Sequence, residues 1–391
     1  AGDGTMKPLS QAVASVPPSG IRRFFDVAAQ LEDCISLGVG EPDFVTPWHI
    51  REAAIWAIEK GFTTYTSNYG LFTLRQRIAS HLKARYGVDY SPESEIIVTV
   101  GVSEGLDIAM RALLNPGDEV IFFEPSYVSY APCVLFAGGK PVPVPTDYRQ
   151  GFQPDVHRLR EAITPRTKAV LLCYPNNPTG AVASRAALEE VVRIAVEHDL
   201  YLITDEIYDR LVYDTQHTCV ASLPGAAERT ILLGGFSKSY AMTGWRIGYA
   251  CAPAQIIEMM MKVHQYTMLC APIAAQKAAE EALERGEPEV ERMRREYDRR
   301  RRLIVERLNE IGLECVPPQG AFYVFPSIRC TGLRSEEFTE QLLWEERVAV
   351  VPGNVFGNSG EGHVRLSYAT SLPKIEEALH RIERFVNKRR K

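Results

Sequence analysis

Lys238 is the residue whose surroundings point most directly to chemistry. It lies in Gly-Gly-Phe-Ser-Lys-Ser-Tyr at 234–240, after an apolar run, and Thr-Gly-Trp-Arg follows at 243–246. An amine among small and aromatic residues at a strand end is poorly solvated, so its pKa should fall and it should attack an aldehyde readily. Ser237 and Arg246 add a hydroxyl and a fixed cation, which suit a phosphate group. A solvated loop lysine is the alternative, and these neighbours disfavour it.

Asp205 and Tyr208 follow a second apolar run, at 200–204. A carboxylate that leaves a buried strand end is costly unless it meets a cation, and a pyridinium nitrogen is one such cation. Tyr208 lies three residues further on, within reach of a phenolic oxygen on the same ring. The alternative is an aspartate that caps the next helix.

Two further loops also follow apolar runs and carry polar side chains. The segment Tyr-Pro-Asn-Asn-Pro-Thr-Gly presents the Asn177 amide on an irregular turn, although alone it is better explained as an ordinary loop. Gly-Val-Ser-Glu-Gly at 101–105 matches the nucleophile elbow of serine hydrolases. That class needs an oxyanion-hole donor and a triad, and Asp205 and His363 supply only the chain order of a triad with Ser103. The sequence therefore favours a helix N-terminus whose N–H groups hold a phosphate.

The elements that must position these residues follow from the apolar periodicity. Short runs rich in Val, Ile and Leu alternate with patterns of period 3.6, such as those at 104–114 and 184–198. This alternation predicts an α/β fold with a largely parallel sheet covered by helices on both faces. Ligands of such sheets bind at the carboxyl ends of the strands, where the four loops lie. The predicted strands are 96–100, 119–123, 168–173, 200–204, 230–233 and 247–251.

A second, smaller α+β unit follows. A long helix at 288–311 leads into it, and Gly312 marks the end of that helix. The N-terminal segment to about residue 43 is expected to be loop-rich and to join this unit. Its other predicted elements are strands 321–325, 348–351 and 363–368 and a helix from residue 372.

The composition argues against several kinds of partner. The chain has 391 residues and a net charge of −5, so neither nucleic acid nor an anionic membrane is expected. Eight cysteines without a C-x-x-C pair indicate reduced thiols and a cytoplasmic location, and no metal site is expected. No apolar run reaches the roughly 20 residues of a membrane span. Residues 1–5 resemble a tag remnant before a native Met6.

Taken together, the motifs resemble those of the class I, fold-type I aminotransferases, which depend on pyridoxal 5′-phosphate (PLP). Asn-Pro-Thr-Gly, Asp-x-x-Tyr, Ser-Lys and Gly-Trp-Arg-x-Gly occur in the family's order, and the resemblance covers nearly all of residues 20–390. It implies a large domain at 46–290 with a mainly parallel seven-stranded sheet covered by helices. The small α+β domain would consist of 20–45 and 291–391.

The resemblance also implies a role for each residue around the cofactor ring. Lys238 would hold the cofactor covalently and then carry the substrate's Cα proton. Asp205 would keep the ring nitrogen protonated, so that the ring accepts electrons. Tyr208 would hydrogen-bond the ring's phenolic oxygen, and Asn177 would flank the ring. Tyr127 would stack on the ring face, unless it is a core aromatic at a helix start.

Phosphate binding is implied for Ser103 and Glu104, through their backbone N–H groups, and for Ser237 and Arg246. Tyr65 resembles the tyrosine that reaches the phosphate of a neighbouring subunit. That role implies a homodimer with shared active sites, while an ordinary loop tyrosine explains the residue about equally well.

Substrate binding is implied for four residues. Arg365 would hold the α-carboxylate with two donors, Gly40 would let the backbone approach it, and Tyr127 and Asn177 would line the same site. The implied reaction moves the α-amino group of an aromatic or aspartate-like L-amino acid to a 2-oxo acid such as 2-oxoglutarate, by a ping-pong mechanism. The pattern is closest to the aromatic and aspartate broad-specificity subgroup. Alternatives are a PLP-dependent lyase of the same fold, a serine hydrolase that uses Ser103, and a binding module without activity.

Overall fold

The structure is a computed structural model that describes residue 4 and residues 6–390. Except for residue 4, the expected tag remnant at 1–5 lies outside the described residues. No helix in this described part is long and apolar enough to cross a membrane. The helices are α1 (Gln11–Ala14), α2 (Gly20–Gln30), α3 (Trp48–Glu59), α4 (Phe72–Tyr86), α5 (Gly101–Leu113), α6 (Tyr130–Phe136), α7 (Val156–Ala162), α8 (Arg185–Glu197), α9 (Ala254–Thr267), α10 (Ile273–Arg285), α11 (Glu287–Ile311), α12 (Ser335–Glu346) and α13 (Leu372–Asn387). The strands are β1 (Ile35–Ser36), β2 (Ile96–Thr99), β3 (Glu119–Glu124), β4 (Lys140–Pro145), β5 (Thr167–Cys173), β6 (Tyr201–Asp205), β7 (Thr230–Gly235), β8 (Gly248–Cys251), β9 (Tyr323–Val324), β10 (Val348–Ala349), β11 (Val351–Pro352) and β12 (Val364–Ser367).

The main sheet has seven strands in the order β2-β8-β7-β6-β5-β3-β4. Neighbours pair in parallel, except that β8 is antiparallel to both β2 and β7. Its inner strands are buried along most of their length, as the apolar runs predicted. The predicted α/β fold with a mainly parallel seven-stranded sheet is therefore confirmed.

Strand β4 is the one member of this sheet that the apolar runs did not indicate. Its sequence is Lys-Pro-Val-Pro-Val-Pro, and it pairs only with β3. Proline has no N–H to donate, so a run with three prolines argues against a strand inside a sheet. The edge position removes that objection, because one side of an edge strand needs no partner.

A second, smaller set of strands comes from the C-terminal part of the chain. Strands β11, β12 and β9 form an antiparallel sheet, and β1 of the N-terminal segment pairs in parallel with β10. The N-terminal segment therefore joins the smaller α+β unit, as expected. The expectation that it is loop-rich was wrong for α2, an eleven-residue helix.

Helix α11 connects the two parts of the fold. Arg300 donates two hydrogen bonds to the carboxylate of Asp43 and one to the Tyr368 carbonyl. Arg301 donates to the carboxylate of Asp214 at 2.7 Å and to the carbonyl of residue 318 at 2.9 Å. One helix thus holds the N-terminal, central and C-terminal stretches against each other.

Candidate active site

A cavity of about 380 Å³ lies where the carboxyl ends of β5, β6 and β7 meet the smaller unit. The structure brings ten of the twelve predicted site residues to this one cavity. They are Gly40, Ser103, Tyr127, Asn177, Asp205, Tyr208, Ser237, Lys238, Arg246 and Arg365.

The amine of Lys238 lies inside the cavity and donates to the Gly40 carbonyl. Burial lowers the pKa of Lys238 to about 8, and the Arg365 guanidinium contributes to the same shift. The aromatic rings of Tyr208 and Phe322 lie 5.8 and 5.9 Å from the amine nitrogen. The expected poorly solvated, nucleophilic lysine therefore has a physical basis in this site.

Asp205 ends β6 and is buried. Its carboxylate accepts from the Tyr130 hydroxyl at 2.8 Å and from the Ile207 N–H at 3.2 Å. Burial raises the pKa of Asp205 to about 6, and the Tyr130 hydrogen bond opposes that rise. No cationic side chain is among the hydrogen-bond partners given for this carboxylate in the described residues, so it suits a cationic ligand group.

Two tyrosines that the motifs did not indicate support this part of the site. Tyr130 begins α6, and its ring packs edge to face on that of Tyr127, which precedes the helix, with the ring centroids 5.7 Å apart. The hydroxyl of Tyr323, on β9, lies 2.8 Å from that of Tyr208. Nothing in the sequence around Tyr323 distinguishes it from an ordinary strand residue. Burial raises the pKa of Tyr208 well above its usual value, so its hydroxyl stays protonated.

Arg365 lies on β12 with its guanidinium in the cavity. Its two terminal nitrogens donate to Asn177 Oδ1 at 2.8 Å and to the Gly38 carbonyl at 2.7 Å. Its Nε is buried and has no hydrogen-bond partner among the described residues. A buried donor without a partner is costly, and a ligand carboxylate would satisfy it.

The turn between β2 and α5 leads into Val102 and Ser103, which line the cavity. Gly101 has a φ of +72°, and a Cβ there would lie 2.6 Å from Arg246 Nη2. Only glycine lets the start of α5 and the Arg246 guanidinium come so close. The first N–H groups of a helix have no partner within it, so this corner combines free donors with a cation. Those features fit a phosphate.

The structure does not bring two of the predicted residues into the cavity lining. The Glu104 carboxylate points away, toward the Val100 N–H and the His264 ring. The prediction for Glu104 concerned its backbone N–H, which lies in the first turn of α5. Tyr65 is 78% exposed and does not line this cavity.

The hydrolase alternative finds little support in the side-chain contacts. His363 places its Nδ1 3.2 Å from the Phe325 carbonyl and stacks on the Phe325 ring, and it does not line the cavity. The side-chain hydroxyl that bonds Asp205 is that of Tyr130. Among the described residues, Ser103, His363 and Asp205 therefore make no hydrogen-bonded triad.

The residues present fit PLP. A lysine amine with a lowered pKa, a buried carboxylate and a helix start beside a fixed cation surround one cavity. An arginine with an unpartnered donor lies across from them and would hold a substrate carboxylate. No group of His, Cys, Asp and Glu in the described part of the chain is arranged to hold a metal ion.

The chain is similar to known aminotransferases over nearly its whole length. A family model described as aminotransferase class I and II matches residues 32–382. A putative aminotransferase of Bacillus subtilis, YugH, is 54% identical over 97% of this chain and 98% of its own length. An aspartate aminotransferase of Pyrococcus abyssi is 49% identical over 98% of this chain and 99% of its own. The solved structure of an aromatic aminotransferase from Pyrococcus horikoshii is 49% identical, with a TM-score of 0.90 over 94% of this chain and 99% of that one. The chain belongs to the class I and II aminotransferases and is a PLP-dependent enzyme of that family.

Proposed function

We propose that the enzyme moves the α-amino group of an aromatic or aspartate-like L-amino acid to a 2-oxo acid such as 2-oxoglutarate, by a ping-pong mechanism. One observation carries this proposal. The Lys238 amine, the buried Asp205 carboxylate and the unpartnered Nε of Arg365 belong to residues that line one cavity. Such a site can hold the cofactor at one end and an α-carboxylate at the other.

In this proposal the cofactor is held at both ends. Asp205 would hold the ring nitrogen, the Tyr208 hydroxyl would donate to the phenolic oxygen, Asn177 would flank the ring and Tyr127 would stack on one face. The phosphate would be bound by the backbone N–H groups of Ser103 and Glu104 and by the side chains of Ser237 and Arg246. When bound, PLP supplies an electron-accepting ring that stabilises the charge left by the departing Cα proton.

Lys238 has two tasks in this scheme. Its amine would hold the cofactor covalently, and once the substrate amine has taken its place, Nζ would accept the proton from Cα and deliver it to the cofactor carbon that is bonded to the substrate nitrogen. A base works best when its pKa lies near the working pH, and the pKa of about 8 meets that condition.

Arg365 would read the α-carboxylate with a two-pronged contact, while Gly40 lets the backbone come close. Arg365 lies on the smaller unit and Lys238 on the larger one. We propose that 46–290 and 20–45 with 291–391 are domains that the substrate draws together, which excludes water from the reacting atoms.

The cavity lining favours aromatic donors over aspartate. The lining includes the apolar side chains of Ile21, Phe25 and Leu106. Among the described residues that line the cavity, the cations are Lys238, Arg246 and Arg365, and each already has a role. Within one described chain, no further cation remains for a distal carboxylate, whereas an aromatic ring meets a complementary surface.

A donor and acceptor panel tests the proposal. Under single-turnover conditions, L-tyrosine, L-phenylalanine or L-aspartate should convert the bound cofactor to its amine form, and 2-oxoglutarate should restore the aldehyde form. Absorbance of the cofactor reports both half-reactions. A lyase of the same fold would return the aldehyde form without an acceptor, and that result would overturn the assignment.

We further propose a homodimer with shared active sites. Exposed apolar side chains support it, since patches of this kind mark interfaces. They lie on α3 and its following loop, where Trp56 packs on Phe62 and Tyr65 follows, and on and just after α9. The set comprises Trp48, Ile55, Trp56, Ile58, Phe62, Tyr65, Met259, Tyr266, Met268 and Leu269.

Mixed subunits test the sharing. Lys238→Ala and Tyr65→Ala subunits should each be poorly active alone. If Tyr65 completes the partner's site, a randomly mixed population should regain about one quarter of wild-type activity, because each mixed dimer contains one intact site. Sedimentation velocity gives the oligomeric state, and a monomer would refute the proposal.

We also propose a cytoplasmic location. All eight cysteines are free, and five are buried or lie against packed apolar residues, as expected in a reducing compartment. Cell fractionation with an antibody against the chain tests it.

A further inference from the structure

A buried histidine and a buried carboxylate join α9 to the first turn of α5, the helix that begins at the proposed phosphate corner. His264, on α9, places Nδ1 2.6 Å from Glu104 Oε2, on α5. Their side chains are 0% and 7% exposed. Because a carboxylate only accepts, the His264 ring donates in this bond. Nε2 of His264 has no partner among the described residues, so Glu104 accounts for the ring's only hydrogen bond there.

The second carboxylate oxygen of Glu104 fixes the backbone at the start of α5. Oε1 accepts from the Val100 N–H at 2.8 Å. Val100 is the N-cap residue of this helix, and its own side chain provides no capping bond. Glu104 therefore ties the last residue before the helix to the helix itself.

The turn that Glu104 fixes tolerates little movement. The Thr99 hydroxyl donates to the Gly101 carbonyl at 2.8 Å, and a Cβ on Gly248 would lie 3.0 Å from the carbonyl carbon of Gly101. Ser103, two residues after Gly101, lines the cavity. A shift at Val100 would thus move the N–H groups that face the phosphate corner.

We propose that His264 and Glu104 form a positioning pair for the phosphate-binding turn at 101–103. His264 orients the Glu104 carboxylate, and that carboxylate holds the Val100 N–H. This inference rests on the proposed binding of the cofactor's phosphate at the start of α5.

The charge of Glu104 makes His264 necessary. A carboxylate buried one turn into α5 lies near the position of a phosphate dianion, and like charges repel. Without the histidine donor, the carboxylate would also be left partly desolvated and undersatisfied. Loss of His264 alone should therefore weaken phosphate binding more than loss of His264 together with the negative charge of Glu104.

Cofactor affinity of the apoenzyme tests the pair, measured by equilibrium dialysis with PLP and with pyridoxal, which lacks the phosphate. His264→Leu should weaken PLP binding by at least about tenfold and pyridoxal binding by less than about twofold. His264→Asn keeps a donor of similar reach and should stay near the wild-type value. Glu104→Gln in the His264→Leu background should recover most of the loss, because the amide has no charge and its oxygen still accepts from Val100.

His217→Leu is the matched control, since the His217 side chain is only 4% exposed and is also bonded to a buried carboxylate, that of Glu206. Glu206 adjoins Asp205, so any loss should be equal for PLP and pyridoxal. Equal losses for both ligands in His264→Leu, or no recovery in the double variant, would overturn the pair. Wild-type apoenzyme that binds PLP no tighter than pyridoxal would instead overturn the proposed phosphate site.

Discussion

At the scale of single residues, the reactivity of the site depends on one amine held in an environment that disfavours its charge. Burial and the Arg365 guanidinium place the pKa of Lys238 at about 8, well below the ordinary lysine value. A useful fraction of the amine is therefore neutral near physiological pH, and only the neutral form attacks a carbonyl.

The rate at which apoenzyme takes up PLP should rise with pH and reach half its maximum at about 8. The substitution Arg365→Met removes a positive charge near the Lys238 amine. The protonated amine is then less disfavoured, so the pKa of Lys238 rises and the midpoint of the uptake rate moves to higher pH. Stopped-flow absorbance between pH 6.5 and 9.5 measures the uptake rate in both proteins. An unchanged midpoint in the variant would contradict the electrostatic account.

Tyr130→Phe should shift the acidic limb of the kcat profile to higher pH. The Tyr130 hydroxyl stabilises the ionised carboxylate, so its loss raises the pKa of Asp205 further above its usual range. The neutral acid no longer holds a protonated ring nitrogen. A kcat profile from pH 5 to 9 measures the shift, and an acidic limb identical to wild type would count against the role of Tyr130.

Arg365→Lys should raise KM for the amino donor by roughly 30-fold or more and change kcat less, because an ammonium cannot make the two-pronged contact of a guanidinium. The lysine would also abandon the contacts to Asn177 and Gly38. Steady-state kinetics with a fixed acceptor separate the two constants. A KM within twofold of wild type would argue against the carboxylate assignment.

At the scale of elements, the N-terminal helix α2 packs on the segment that carries the substrate site. A Cβ on Gly38 would lie 2.6 Å from a ring carbon of Phe25, which lines the cavity. The Gly38 carbonyl also accepts from Arg365. This glycine therefore links the position of α2 to the arginine clamp.

Gly38→Ala should displace Phe25 and raise KM for L-tyrosine by about tenfold, since overpacking a buried contact costs about 1–3 kcal/mol. The effect on L-alanine should be smaller, because that donor does not reach Phe25. Kinetics with both donors measure the difference. Equal changes for the two donors would show that Phe25 does not line the side-chain pocket.

Sequence periodicity predicted the elements whose pattern is local. The inner strands of the main sheet and the long helix α11 have continuous apolar or period-3.6 patterns, and both were predicted within a few residues. Strand β4 was missed because its prolines are tolerated only at a sheet edge, which is a property of the whole sheet. Helix α2 was missed although Ile21, Phe24 and Phe25 have helical spacing and form its apolar face, so this error does not come from a lack of local pattern.

Some residues of the candidate site could also be predicted from local sequence, and others could not. Lys238, Asp205 and Asn177 follow strands directly, so the parallel topology alone brings them to one edge of the sheet. Tyr130 and Tyr323 reach the site only through tertiary packing, across 75 and 115 residues of chain from their partners. No local pattern contains that information.

At the scale of the whole molecule, acid should destabilise the fold through a buried histidine. His363 is stacked on Phe325, and burial lowers the pKa of His363 to about 4. The unfolded chain binds this proton near pH 6.5 and the folded chain near 4. The free energy of unfolding therefore falls as pH drops from 6.5 to 4, by up to about 3 kcal/mol from this residue.

His363→Phe keeps an aromatic ring but cannot titrate, so its unfolding free energy should fall by about 2–3 kcal/mol less than that of wild type between pH 7 and 4.5. His81, whose pKa burial also lowers to about 4, is present in both proteins and cancels. Urea unfolding at the two pH values gives the comparison. Equal losses in both proteins would assign the acid sensitivity to other groups.

Helix α11 has a consequence for how this molecule comes apart. Its 25 residues form a rod about 37 Å long. Its arginines hydrogen-bond to Asp43 and Asp214, which precede the helix in the chain, and to Tyr368, which follows it. Because both parts of the fold pack on this helix, we expect the two parts to unfold together. Heating should therefore give one cooperative calorimetric peak, and the slowest-exchanging amides of the helix and the main sheet should exchange with the same free energy.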